Sequence, residues 1–321
     1  PSGAPRPAPT RARLELRHPG SFAGPGLRRA GAGRGGRVLG RPLIRFAEAP
    51  SLAISAWRLT FASTPLLLLA LLRGRSELAS LSARTWGWLV LSGLALALHF
   101  ATWIASLQYT TVASSVALVT TQPVWVALFA WVALSERVGP RGLAAIGLCL
   151  AGSVLIGARD FAAGGQAFWG DVLAVMGAIL AAVYFVVGRR VRDAMSLGTY
   201  VGVVYSVAAV ALMVAHLFVD SPLTGFTPRT WAVLVGLALV PQLIGHSLLN
   251  ASVRHLSAPF VAVTTLGEPV LSTLWAVPLL GETPDPVQLL GGGMALVGVV
   301  LMAREEALRK PAPPDMVPAA D

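Results

Sequence analysis

One internal duplication constrains the fold of this chain more than any other feature. Residues 99–157 recur 146 positions later as residues 245–303, and both copies are strongly apolar. The copies share small, acidic and turn-forming residues, as in the pairs Ala105/Ala251, Ser106/Ser252, Pro123/Pro269, Glu136/Glu282, Gly147/Gly293 and Gly152/Gly298. Repeated sets of apolar helices with prolines at matching positions are typical of membrane carriers built from two related halves.

The composition places most of the chain in a lipid bilayer. It is 55% hydrophobic and 12% charged, with a mean hydropathy of +0.68, whereas a soluble domain carries about 25% charged residues. A helix needs roughly 20 apolar residues to cross a bilayer. Nine such runs are predicted: Leu52 to Leu72, Trp86 to Leu107, Thr111 to Leu134, Gly142 to Ile156, Gly170 to Val187, Tyr200 to Val219, Thr230 to Leu249, Leu256 to Leu280 and Val287 to Met302.

The net charge is +10. Its positive residues lie in an N-terminal segment and at the ends of the spans, so the charge does not indicate nucleic-acid binding. Nine arginines lie between Arg6 and Arg41, in a stretch of Pro, Gly, Ala and Arg without helical or strand periodicity. We expect residues 1–42 to be disordered, because they have too little apolar surface to offset the entropy of ordering. The remaining cationic residues lie mostly at the ends of the spans.

The arginines and lysines of the short loops predict the orientation in the membrane, because cytoplasmic loops carry the excess. Along the chain, loops that are rich in arginine and lysine alternate with loops that are poor in these residues. The rich set is Arg73, Arg75, Arg84, Arg137, Arg141, Arg189, Arg190, Arg192, Arg254, Arg304, Arg309 and Lys310, and the poor set is Arg45, Arg159 and Arg229. We therefore expect a multi-pass protein of the cytoplasmic membrane with a cytoplasmic C-terminus.

The repeat also predicts a tenth span that the sequence does not contain. Subtracting 146 from the span Gly170 to Val187 gives residues 24–41, which are rich in Arg and Gly instead of apolar residues. Our hypothesis is that residues before about Leu43 are a truncated or out-of-frame translation. With a first helix restored, each half would contain five spans, and an odd number makes the halves an inverted pair.

These observations predict an all-α membrane protein with five segments along the chain. They are a disordered segment at 1–42, a truncated first repeat at 43–157, an extracytoplasmic loop at 158–168, a second repeat at 169–303 and a cytoplasmic tail at 304–321.

Two long strings resemble the repeats of the EamA family, in the drug/metabolite transporter superfamily. They are YTTVASSVALVTTQPVWVALFAWVALSE at Tyr109 to Glu136 and LSAPFVAVTTLGEPVLSTLWAVPLLGE at Leu256 to Glu282. The resemblance covers about Leu43 to Arg304. It implies a ten-helix basket around a central cavity, and the export of amino acids, related metabolites or drugs across the cytoplasmic membrane.

Glu268 and Pro269 are the first candidate for the transport machinery. An ionised carboxylate near the middle of a span costs several kcal/mol unless it is paired, hydrated or protonated. Pro269 removes a backbone hydrogen bond and predicts a kink or gate beside it. The first-half equivalents are Gln122 and Pro123. Glu268 is thus a candidate for substrate binding or for coupling to protons or ions, and its alternative role is a protonated side chain that bonds a neighbouring helix.

Arg58 is the only cation well inside a span, about two turns from its start. A guanidinium at this depth should face an interior partner, a water-filled cavity or an anionic group of a substrate, such as a carboxylate. Snorkelling to the interface or a structural ion pair is the alternative. Glu268 is one conceivable partner.

Further polar and aromatic residues within the spans could line a cavity. Gln242, His246 and Asn250 follow one another by helical turns on one face, which should point away from lipid. His99 lies in the matching span of the first half. Such residues line a cavity or, more commonly, join helices by hydrogen bonds. The mid-span aromatic candidates for substrate contact are Trp103, Tyr184 and Tyr205, which could equally fill space between helices.

Other features of the chain predict structural roles. Glu136 and Glu282 follow the repeated spans and are expected to cap the next helix. Glycines and alanines in the last span of each half, including Gly147, Gly152, Gly293 and Gly298, predict close helix contact, within one subunit or across a homodimer interface.

The sequence contains no motif typical of an enzyme. It has no paired nucleophile and base, phosphate-binding loop or Cys/His cluster, and Cys149 is its single cysteine. We expect no cofactor, metal or nucleic acid, and the expected partners are a small-molecule substrate and the lipid bilayer. A secondary carrier is the main interpretation. A flippase for lipid-linked metabolites and a non-transporting scaffold or defective gene product are the alternatives.

Overall fold

The computed structural model describes residues 47–110, 115, 118–157, 165–192, 195–266 and 286–309. The part described contains helices, turns and loops and no β-strand. Residues 1–42 of the predicted disordered segment lie outside it, as do Glu268, Pro269 and Glu282.

The first half of the described chain contains five helices. They are α1 (Ser51–Arg73), α2 (Arg75–Ser80), α3 (Ala83–Tyr109), α4 (Gln122–Leu134) and α5 (Pro140–Gly157).

The second half contributes five more helices. They are α6 (Gln166–Val191), α7 (Leu197–His216), α8 (Pro228–Ser252), α9 (Ala258–Thr264) and α10 (Pro286–Arg309). Five helices of the described chain, namely α1, α3, α6, α7 and α8, are long and apolar enough to cross a bilayer. They correspond to five of the nine predicted spans.

Polar residues at the ends of the spans determine where several helices begin. The Ser82 hydroxyl accepts from Thr85 N–H at the start of α3, and the Thr227 hydroxyl accepts from Thr230 N–H at the start of α8. Each cap satisfies one of the amides that the first turn of a helix leaves without an intrahelical acceptor.

Two predicted spans are less regular than the sequence suggests. The predicted span Thr111 to Leu134 is interrupted by a turn at Thr120 and Thr121, so α4 begins only at Gln122. In α8, residues Ala238–His246 form a π-helix that contains Pro241. Proline cannot donate an intrahelical hydrogen bond and clashes with the preceding turn, which explains why the winding changes there.

The offset of 146 residues superimposes α1 on α7, α3 on α8 and α5 on α10. In the first and the last of these pairs the equivalent helices pack directly against each other. The helices α1 and α7 are antiparallel. A Cβ on Gly198 would lie 4.0 Å from Leu69 Cδ2, and one on Gly202, a turn later in α7, would lie 2.9 Å from Leu66 O, which comes earlier in α1.

The helices α5 and α10 show the same relation with a clear local symmetry. A Cβ on Gly152 would lie 2.4 Å from Gly291 O, and one on Gly298 would lie 2.8 Å from Ala145 O. These two contacts exchange under the offset, since Gly152 corresponds to Gly298 and Ala145 to Gly291. Antiparallel packing of equivalent helices is what an inverted repeat requires.

Candidate functional site

The helix α1 places Arg58 in the interior of the helix assembly, where the side chain is 3% exposed. Its Nε donates to Gln242 Oε1 in the π-helical part of α8, at 3.1 Å. Its guanidinium carbon also lies 4.3 Å from the centre of the Phe100 ring on α3. An amide oxygen and an aromatic face both stabilise a cation, which lowers the cost of keeping this charge away from water.

Aromatic and imidazole rings extend from Arg58 along α3 and α8. The Phe100 ring centre lies 5.4 Å from that of His246 and 4.9 Å from that of His99. His99 stacks on Trp103 at 6.0 Å between ring centres, and its Nδ1 lies 2.8 Å from Gly177 O of α6. We call Arg58, Gln242, Phe100, His246, His99 and Trp103 the arginine cluster.

A second polar group, centred on Asn250, joins α6, α7 and α8. Asn250 is 1% exposed, and its Nδ2 donates to the Tyr184 hydroxyl, to the Tyr205 hydroxyl at 3.3 Å and to His246 O at 2.8 Å. The Tyr205 hydroxyl also lies 3.5 Å from Ser247 Oγ. This arrangement matches the expectation that polar residues within spans bond one helix to another.

Several buried polar atoms have no hydrogen-bond partner within the described residues. They include Trp103 Nε1 and His246 Nδ1 of the arginine cluster, Asn250 Oδ1 of the second polar group and Gln122 Nε2 on α4. A buried polar atom without a partner costs free energy. The atoms on Trp103 and His246 belong to the arginine cluster, which therefore offers polar groups for water or for the polar groups of a substrate.

The structure brings some of the predicted site residues together and separates others. Arg58, His246 and Trp103 belong to the arginine cluster, whereas Asn250, Tyr184 and Tyr205 form the neighbouring helix-joining group. The Gln122 side chain is buried on α4, and Pro123 lies in the first turn of that helix. Glu268 and Pro269 fall outside the described residues, so their assigned roles stay predictions.

Pro123 does not interrupt a helix interior as a kinking proline would. It lies at the start of α4, where the amide it lacks has no intrahelical acceptor in any case, so the break in the span is the turn at Thr120 and Thr121. The sequence reasoning missed Phe100, because a phenylalanine in an apolar span carries no signal of a cation contact. It placed Gln242 on the polar stripe without pairing it to Arg58.

A groove of about 640 Å³ between α1 and α7 lies apart from the arginine cluster. Its lining includes the exposed side chains Leu68, Leu71, Val210 and Val214. The hydroxyls that reach it, such as those of Thr60 and Ser206, donate to carbonyls of their own helices. The groove is therefore an apolar, lipid-facing feature, and we place the candidate site at the arginine cluster.

The EamA-like transporter family matches residues 38–158 and again residues 168–304. The chain belongs to the EamA-like transporter family. The double match coincides with the internal duplication, and EamA membership makes this a multi-pass membrane protein of the transporter class.

Relatives of this EamA chain are named as transporters. An uncharacterized transporter of Archaeoglobus fulgidus is 30% identical over 68% of this chain and 77% of its own length. The pseudopaline exporter CntI of Pseudomonas aeruginosa is 26% identical over 67% of this chain and 74% of its own length. A solved crystal structure, 21% identical, superposes with a TM-score of 0.71 over 85% of this chain and 93% of that one, which supports the fold.

Proposed function

We propose that this EamA protein is a secondary transporter that exports a small organic metabolite, amino acid-like or drug-like, by alternating access. The observation that carries the proposal is Arg58, a buried cation within a helix that is long enough to cross the bilayer. Charged residues at membrane depth are costly and generally serve a substrate or ion pathway.

The surroundings of Arg58 favour a substrate with a carboxylate. A guanidinium binds carboxylates in a planar fork and remains protonated at all physiological pH values. The rings of Phe100, His246 and Trp103 give the remainder of the substrate an amphipathic surface, and the buried Trp103 Nε1 and His246 Nδ1 are suited to its polar groups. The exporter CntI among the relatives supports the outward direction.

The proposal also covers the orientation of the protein in the membrane and the coupling of export to ions. The arginine-rich loops favour a cytoplasmic C-terminus. Coupling of export to protons or other ions is assigned to Glu268, on the basis of its position in an apolar sequence. The proposal also includes a homodimer through Gly147 and Gly293, the glycines of α5 and α10 that face open space within the subunit.

The experiment is uptake into liposomes that contain the purified protein. Labelled amino acids and a polyprenyl-phosphate sugar are offered in parallel, with protein-free liposomes as the blank and Arg58→Gln as the matched variant. We expect accumulation of a carboxylate-bearing solute by the wild type and its loss in the variant. Transport of no solute, or equal transport by both proteins, would contradict the proposal.

The groove between α1 and α7 favours a second candidate function, a flippase for lipid-linked metabolites. Such a protein needs a lateral opening for an acyl chain, and the groove faces the bilayer with apolar walls. In the same liposomes, movement of the polyprenyl-phosphate sugar without movement of free amino acids would select the flippase.

A further inference from the structure

Glu136 connects the first half of the chain to two helices of the second half. It follows Ser135, whose left-handed backbone (φ 58°) ends α4 and turns the chain away from its axis. One carboxylate oxygen accepts from Arg189 Nε of α6 at 3.0 Å, and the other accepts from Ala258 N–H of α9 at 3.1 Å. A single side chain of the first half thus holds the end of α6 and the start of α9.

The helix α9 does not depend on Glu136 for its cap. Ser257 N–H donates to Glu306 at 2.7 Å, its hydroxyl donates to the same carboxylate at 2.5 Å, and its Oγ also accepts from Phe260 N–H at 3.4 Å. These bonds lie within the second half. Release of Glu136 would therefore expose one amide, of Ala258, and leave the rest of the α9 N-terminus capped.

Glu77 makes an equivalent connection to the start of α7. Its carboxylate accepts from Ser196 N–H, from the Ser196 hydroxyl at 2.8 Å and from the Thr199 hydroxyl. The Ser196 hydroxyl also caps Thr199 N–H from within the second half, at 3.3 Å. Here too a carboxylate of the first half is added to a helix N-terminus that already has a cap of its own.

The connection between Glu136 and Arg189 can open into water at a modest cost. The side chains of Glu136 and Arg189 are 19% and 25% exposed, so solvent already reaches them. They lie where α4 and α6 end, among loops of the arginine-rich set, which the sequence assigns to the cytoplasm. Ion pairs at such exposure contribute little individually and are replaced readily by hydration.

We propose that Glu77 and Glu136 form the cytoplasmic gate of this protein. The two carboxylates belong to the first half, and each binds an already capped helix N-terminus of the second half. Their release lets the halves separate on this face, while the helix ends of the second half remain intact. This inference rests on the proposed transport function, which supplies the reason for the halves to separate.

The gate is tested by distances between spin labels, which require no transport. Cys149, the single cysteine, is first replaced by alanine, and labels are attached to cysteines introduced at Ser80 on α2 and Leu308 on α10, both exposed. In lipid nanodiscs we expect Glu136→Gln to raise the population with long distances roughly three- to tenfold, the scale of a lost charge-assisted hydrogen bond. Glu77→Gln should act in the same direction.

The matched control is Glu306→Gln, which removes a carboxylate from the same N-terminus of α9 but breaks no bond between the halves. Labels at Ser80 and Arg137, both in the first half, should keep their distance in every variant. Should Glu136→Gln fail to fold, Arg189→Gln breaks the same ion pair from the second half. An unchanged distance, or an equal change in Glu306→Gln, would overturn the gate.

Transport by the same proteins separates the two proposals. If the labels respond as expected but no solute moves, the gate stands and the transport function fails. If a solute moves in the wild type and the labels do not respond, the gate fails and the transport function stands.

Discussion

At the residue scale, the interior of this protein is organised by buried polar side chains that have specific partners. Arg58 is paired with Gln242 and the Phe100 ring, and Asn250 with two tyrosines. Placing an arginine at the middle of a membrane helix costs about 2.5–3.5 kcal/mol on insertion scales. Only an interior partner, water or a substrate offsets such a cost, which makes Arg58 the most informative single residue of the chain.

Asn250 gives a prediction about stability. Asn250→Leu removes the amide that joins Tyr184, Tyr205 and His246 O, and leaves two buried hydroxyls without this donor. We expect a loss of about 1–3 kcal/mol in the free energy of unfolding, measured by detergent-induced unfolding. Tyr205→Phe, which removes only the 3.3 Å bond, should lose less. Equal losses in the two variants would show that Asn250 is not the centre of this group.

At the element scale, the contact between α5 and α10 depends on two glycines related by the repeat. A Cβ on Gly152 would lie 2.4 Å from a backbone carbonyl, and one on Gly298 would lie 2.3 Å from Cys149 Sγ. The glycines at Gly147 and Gly293, also related by the repeat, have nothing within 4 Å of such a Cβ. Substitutions at Gly147 and Gly293 are therefore matched controls for substitutions at Gly152 and Gly298.

These distances predict how substitution of each glycine by alanine changes the stability of the protein. Gly152→Ala forces the helices apart, and we expect a loss of about 1–3 kcal/mol in the free energy of unfolding. Gly147→Ala and Gly293→Ala meet open space and should be neutral, or stabilising by about 0.5–1 kcal/mol through helix propensity. Detergent-induced unfolding of the purified variants measures both. Similar effects of alanine at Gly152 and Gly147 would disprove the close contact.

A pH dependence is expected for the connection made by Glu77. Burial raises the pKa of this carboxyl, but the hydrogen bonds from Thr199 and Ser196 outweigh it and hold the pKa below its ordinary value of 4.5. A lowered pKa means that the folded state favours the ionised form, so the stabilisation is present above pH 4.5. It is lost as the pH falls below that value, through the lower pKa of the folded state.

The measurement compares the melting temperatures of the wild type and Glu77→Gln in a nonionic detergent. The wild type should melt higher at about pH 7, and the difference should shrink progressively as the pH is lowered below 4.5. A difference that stays constant or grows on acidification would show that ionised Glu77 does not stabilise the fold.

The sequence predicts the five long apolar helices of the described chain but not all of their interruptions. The apolar runs at α1, α3, α6 and α7 and the offset of 146 residues were read directly, because hydropathy and repetition are local properties of a sequence. The π-helical winding around Pro241 and the turn before Gln122 depend on packing against neighbouring helices. The pairing of Arg58 with Gln242 joins residues 184 positions apart, which one sequence does not reveal.

At the scale of the whole molecule, two related halves meet through antiparallel pairs of equivalent helices, and the arginine cluster lies between them. Arg58 and Phe100 come from the first half, while Gln242 and His246 come from the second. A site shared by both halves changes when they rock against each other, which is the geometric requirement for alternating access. We propose that Arg58 binds the carboxylate of the substrate within this shared site.

The most direct test is a binding comparison between a carboxylate solute and its neutral amide, for the wild type and Arg58→Gln. The solute is the one that the liposome assay identifies, and its affinity for the purified protein is measured by calorimetry. We predict that the wild type prefers the carboxylate by roughly tenfold or more and that the variant loses this preference, as expected for a lost charge-assisted pair. The same preference in both proteins would contradict the proposed role of Arg58 in binding the substrate.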